Sequence, residues 1–118
     1  MKLHLNLIST AKEFSLLLDQ LEQSKIVGLD TEFIRETTFY PKLEIIQVAT
    51  ESEAWLLDFP ALDQNAPQEV ERFRKFLENP STFKILHAAL GDQECFWTAL
   101  EVVAKPSLDT AVAASLCG

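Results

Sequence analysis

The chain has 118 residues, 47% of them hydrophobic and 24% charged, with a formal net charge of −8; this fits one globular domain large enough to bury a core. No apolar run approaches the length of a membrane span, and the opening MKLHLNLIST lacks the apolar stretch of a signal peptide, so the expectation is a cytoplasmic protein with no membrane role. The acidic balance argues against holding nucleic acid by bulk electrostatics, for which metal ions, local basic residues or a neighbouring domain would have to compensate.

Residues 3–8 (LHLNLI) alternate apolar and polar, as an edge strand does. Thr10, with Glu13 three residues on, has the spacing of a capping box. It precedes an amphipathic helix over 11–23, in which Phe14, Leu17, Leu18 and Leu21 share a face. Residues 25–34 form a β-branched, apolar strand. The connection ETTFYPK is broken by Pro41, and strands over 43–50 and 54–59 follow across the short turn ESE. These three strands predict an antiparallel meander. Pro60 ends it, a polar loop containing Pro67 follows, and a second helix spans 68–79 with Val70, Phe73, Phe76 and Leu77 as its stripe. A short strand at 82–87 leads to Gly91 and Asp92, which open a third helix over 92–104. Pro106 ends that segment, and Leu108-Asp109-Thr110 begins a last helical stretch after a minor strand. The order β-α-βββ-α-β-α-(β)-α predicts an α/β fold with a mixed sheet. Cys95 and Cys117 form no CxxC pair and read as reduced thiols, without a disulfide or a zinc role.

Asp30 and Glu32 fall inside the 25–34 strand, and residues two apart on a strand share a face. Two carboxylates in a poorly solvated place repel each other. Either this face opens to water, or a cation belongs there. The stretch His87-Ala-Ala-Leu-Gly-Asp92 repeats the architecture: an apolar strand, a turn, then an acid at a helix start. Asp92 reads either as an N-cap or, if strands 82–87 and 25–34 are neighbours, as a third carboxylate in the same cavity. Three carboxylates with few imidazoles suit Mg²⁺ or Mn²⁺ rather than Zn²⁺. Two such ions about 3.5–4 Å apart form the usual clamp for phosphodiester cleavage. The remaining candidates carry two readings each. His87 either touches a substrate backbone or is structural, and Phe33 either stacks on a base or belongs to the core. Arg35 and Lys42 either meet phosphate or stand idle at the surface. Asp109 reads as an N-cap.

The stretch GLDTEFIRETTFYPKLEIIQVAT closely resembles the first exonuclease motif of the ribonuclease D family, within the DEDD (DnaQ-like) 3′-to-5′ exonucleases. KILHAALGDQECF resembles the second motif, and PSLDTAVAASLCG resembles the segment that follows it. The resemblance implies a ribonuclease H-like mixed sheet, an antiparallel meander plus parallel strands flanked by helices. It also implies hydrolysis of RNA 3′ ends with two divalent ions, Mg²⁺ or Mn²⁺, on structured RNA such as tRNA precursors. Asp30, Glu32 and Asp92 match three of four acidic metal ligands, and Thr31, Phe33 and His87 match positions near the substrate. The third motif, a Tyr with an Asp four residues later, has no counterpart, so the expectation is a C-terminally truncated exonuclease domain, incomplete alone and without the helical RNA-binding domains. Apolar surface left open by the missing part would favour self-association or a complementing C-terminal segment. Two rival readings stay open: a non-catalytic module of the same fold that binds nucleic acid or protein, and an acidic interaction domain without metal.

Overall fold

Period-two alternation along the strands decides the architecture. The computed structural model describes residues 1–35 and 40–117. In chain order they form β1 (Lys2–Ile8), α1 (Ala11–Gln23), β2 (Ile26–Ile34), β3 (Lys42–Ala49), β4 (Glu53–Asp58), α2 (Phe59–Asn65), α3 (Pro67–Leu77), β5 (Phe83–Leu86), α4 (Leu90–Leu100), β6 (Ser107–Asp109) and α5 (Thr110–Cys117). The strands make one mixed sheet in the order β1-β4-β3-β2-β5-β6. β2, β3 and β4 are the expected antiparallel meander, while β1 joins β4, β5 joins β2 and β6 joins β5 in parallel. Strands 25–34 and 82–87 are therefore neighbours, the condition on which a shared acidic site depended.

Val27, Leu29 and Thr31 of β2, Ile46 and Val48 of β3, Trp55 and Leu57 of β4, and Lys84 and Leu86 of β5 are all buried. The core they enter is filled by Phe14, Leu17, Leu18 and Leu21 of α1, Val70, Phe73, Phe76 and Leu77 of α3, and Cys95, Phe96 and Leu100 of α4. Phe14 and Phe73 meet across α1 and α3 at 5.7 Å between ring centroids. Arg72 fastens the same pair from outside, with Nη2 at 2.6 Å from Asp19 and 2.5 Å from Glu22.

The opposite face of the sheet has no helix against it among the described residues. In-register pairing carries one row across all six strands: Leu3, Ala54, Ala49, Gly28, Ile85 and Leu108. Small side chains at its centre and larger ones at its ends leave a shallow trough of about 210 Å³. On the edge strand, Leu3, Leu5 and Leu7 are exposed as well.

Lys84 is the anomaly of the core. Its side chain is wholly buried, yet among the described residues no carboxylate meets it. Nζ donates instead to the Asn79 carbonyl at 2.6 Å and the Lys105 carbonyl at 3.1 Å, and lies 5.3 Å from the Phe76 ring centre. Burial pulls its pKa down to about 8.

Three expectations need correction. Residues 59–65, read as a strand end and loop, form α2: Asp58 caps it by accepting from the Ala61 N–H at 3.2 Å, and Pro60 stands in its first turn, where the missing N–H does no harm. The third helix begins at Leu90 and ends at Leu100 rather than spanning 92–104. Glu101 turns left-handed (φ 55°), and the Gln93 side chain holds the extended stretch beyond it, donating to the Ala104 carbonyl and accepting from the Ala104 N–H. The second helix stops at Leu77, not at 79. Most of the 36–42 connection, residues 36–39, and the final Gly118 lie outside the described residues. Among those described, no helix is long and apolar enough to cross a membrane.

Candidate active site

β5 pairs with β2 only over Ile26–Gly28. Beyond Gly28 the two strands part, and the first turn of α4 lies at the gap. Its Asp92 is 5% exposed. It is not the N-cap, which is Ala89; it lies inside the helix, and Asp92 Oδ1 accepts from the Thr31 backbone N–H at 3.2 Å and from the Thr31 hydroxyl. The same N–H donates to Asp30 Oδ1 at 3.0 Å. Two carboxylates from distant parts of the chain thus meet at one residue of β2. Glu32 stands two places further along the same open face as Asp30, and both are exposed. Of the two alternatives posed by that pair, the face does open to water.

Burial is the main influence raising the Asp92 pKa, and the charges of Asp30 and Asp109 push the same way; the hydrogen bonds from Thr31 oppose them. Among the described residues no cationic side chain pairs with Asp30, Glu32 or Asp92. The nearby arginine, Arg35, reaches Glu94 of α4 at 2.8 Å, and exposed Lys42 faces Glu44 at 3.6 Å at the start of β3. Anionic oxygens without a side-chain counterion are the donor chemistry a hard divalent cation takes. Their arrangement is open: among the described residues no three His, Cys, Asp or Glu side chains stand together as a ready-formed cage.

The other candidates fall around this gap. Phe33 is 37% exposed, and its ring lies so near α4 that a Cβ added at Gly91 would stand 3.4 Å from Cζ. Thr31, matched by resemblance to a substrate position, is 8% exposed and turns its hydroxyl to Asp92. His87 is exposed at the end of β5, with Nδ1 2.7 Å from Thr110 Oγ1.

Asp109 has more partners than an N-cap needs. It caps α5 through the Ala111 N–H at 2.9 Å, but it also accepts from Ala88 at 2.8 Å and Ala89 at 2.7 Å. These bonds, that from Ala89 foremost, lower its pKa. They hold the turn that launches α4, in which Ala88 adopts a left-handed conformation (φ 54°) that a non-glycine residue keeps only under outside constraint. Sequence pattern gave no sign of this second task, since its partners lie some twenty residues upstream.

A parallel β2/β5 pair opening onto acids from both arms, attached to an antiparallel meander, is the framework of a 3′-5′ exonuclease. The chain belongs to that family: the 3′-5′ exonuclease family profile matches residues 5–118. It is 35% identical to the Ribonuclease D of Nitrobacter hamburgensis over 114 residues, which make up 97% of this chain and 29% of the relative. Among solved structures it is similar to Escherichia coli RNase D, described as an exoribonuclease involved in structured RNA processing, with a TM-score of 0.82 and 29% identity over 98% of this chain and 29% of that one. The exonuclease domain of EXD2, soaked in Mg and GMP, shares the fold with a TM-score of 0.73 and 18% identity, over 98% of this chain and 59% of that one. The chain thus spans under a third of the length of the ribonuclease D relatives it matches.

Proposed function

We propose that the chain is part of a 3′-to-5′ exoribonuclease domain of ribonuclease D type, acting on the 3′ ends of structured RNA such as tRNA precursors. The observation that carries this reading is the meeting of Asp30 and Asp92 at the Thr31 N–H, beside Glu32 and with no cationic side chain paired to them among the described residues. Asp30, Glu32 and Asp92 would hold two divalent ions, Mg²⁺ or Mn²⁺. When bound, these would activate the attacking water and neutralise charge developing on the phosphate. The chain's own residues position the substrate: Phe33 offers a ring face to the terminal base, and exposed His87 a hydrogen bond to the backbone. A divalent site also reconciles the net charge of −8 with an RNA substrate, because the cations supply the attraction the side chains lack.

The open arrangement of the three acids favours one further requirement, that a ligand from outside these residues completes the site. The bare apolar sheet face is a surface for that complementing segment or for a second copy of the chain. The same openness gives some support to a second reading, a non-catalytic nucleic-acid- or protein-binding module of this fold. With both cysteines unpaired, the cytoplasm is the location we propose.

Calorimetric titration with Mn²⁺, native chain against Asp30→Asn, tests the site. Binding that the substitution abolishes supports it, and release of mononucleotides from a 5′-labelled RNA then separates enzyme from binding module. Equal Mn²⁺ binding by both proteins would remove Asp30 from the proposal.

A further inference from the structure

By alternation, position 31 belongs with Val27 and Leu29 on the covered face of β2, where an apolar side chain would be the ordinary choice. A buried hydroxyl there requires a partner, and its partner is Asp92. The backbone of the same residue has a second distinctive task. Past Gly28, β5 no longer pairs with β2, and the Thr31 N–H is shared between Asp30 Oδ1 and Asp92 Oδ1. One residue thus supplies every hydrogen bond made to these two carboxylates among the described residues, and each bond goes to Oδ1.

We propose that Thr31 is a positioning residue for the acidic site. It anchors one oxygen of Asp30 and one of Asp92 at a common point, leaving Oδ2 of each unbonded and available to a divalent cation. The inference rests on the metal reading given above, but concerns how the ligands are aimed rather than what they are. The two donors differ in kind. The N–H bonds persist whatever side chain stands at 31, whereas the hydroxyl bond to Asp92 exists only with Thr or Ser. Substitution at 31 should therefore loosen Asp92 and spare Asp30.

The test uses the full chain and two variants. Thr31→Val keeps the branched shape and removes the hydroxyl; Thr31→Ser keeps the hydroxyl and removes the methyl. Thr31→Val is expected to weaken Mn²⁺ binding by roughly 10–100-fold, the usual effect of losing a group that orients a ligand, while Thr31→Ser stays close to the native value. Native-like binding by Thr31→Val would overturn the proposal. So would equal weakening in both variants, which would make Thr31 a packing residue. If the native chain binds no Mn²⁺, the metal reading fails by itself, and the metal-free protein still decides this one. The side-chain carboxyl ¹³C resonance of Asp92 should move in Thr31→Val and hold in Thr31→Ser, with that of Asp30 nearly still in both. An Asp92 resonance unmoved in Thr31→Val would refute the positioning role.

Discussion

Lys84 offers a quantitative test of the core, and Lys84→Met is the perturbation: the stem is kept and the charge removed. Among the described residues the native ammonium has two carbonyl partners and no carboxylate, so its charge is incompletely compensated. Its folded pKa, about 8, lies below the unfolded value of about 10.4. Below pH 8 both states carry the proton and the full cost of burying the charge is present. Between pH 8 and about 10.4 the folded protein has lost the proton while the unfolded chain still holds it, so native stability rises with pH. The neutral amine keeps two N–H donors for its two carbonyls, so this gain involves no loss of hydrogen bonds. The displacement corresponds to at most about 3 kcal/mol. At pH 7, Lys84→Met exchanges that relief for a Lys105 carbonyl left without its donor, about 1–3 kcal/mol, and an Asn79 carbonyl that keeps only the Thr82 N–H at 3.3 Å, and should be the less stable protein by at most a small margin. At pH 10 the margin should widen by up to about 3 kcal/mol. Urea denaturation of both proteins at pH 7, 8.5 and 10 gives the comparison, and other alkaline titrations cancel between them. Parallel stability curves would refute the buried-charge argument.

The remaining predictions concern separate parts of the molecule. Cys117 is exposed and Cys95 is buried, with its thiol pKa pushed up chiefly by burial; a thiol reagent should therefore modify one cysteine promptly and the other only as fast as the protein unfolds. Arg72→Ala removes the guanidinium that joins α3 to Asp19 and Glu22 of α1, and should cost about 1 kcal/mol in low-salt denaturation, less in 1 M salt. Leu5→Lys, on the exposed row of β1, should lower any self-association seen by sedimentation at high concentration; unchanged association would shift the contact away from this face.

Much of the fold was legible because local chemistry and burial agree. Thr10 accepts from the Glu13 N–H at 3.3 Å and its hydroxyl donates to Glu13 Oε1 at 2.9 Å, so α1 begins and ends where its pattern places it. α2 is hidden in the pattern because the apolar run AWLLDF continues past Asp58, although Asp followed by Phe-Pro is itself a helix-start signal. The pattern of α4 runs on beyond Leu100 because Val102 and Ala104 are buried as a helical stripe would be, and an apolar period does not distinguish a buried helix from a buried extended segment. In the site, alternation was enough to put Asp30 and Glu32 on one face. It could not show that Thr31, between them, reaches Asp92, because that depends on how far β2 and β5 stay together before parting.

The Asp109 carboxylate has a consequence for how the molecule moves. It ties β6 and the start of α5 to the turn that aims Asp92, so β6 and the acidic gap are expected to open together. Fraying of α5 would be felt at the site as a disordered α4 start. Conversely, any ligand that clamps Asp92 would hold β6 and the start of α5 down, transmitting order over a short distance without a hinge or a second conformation.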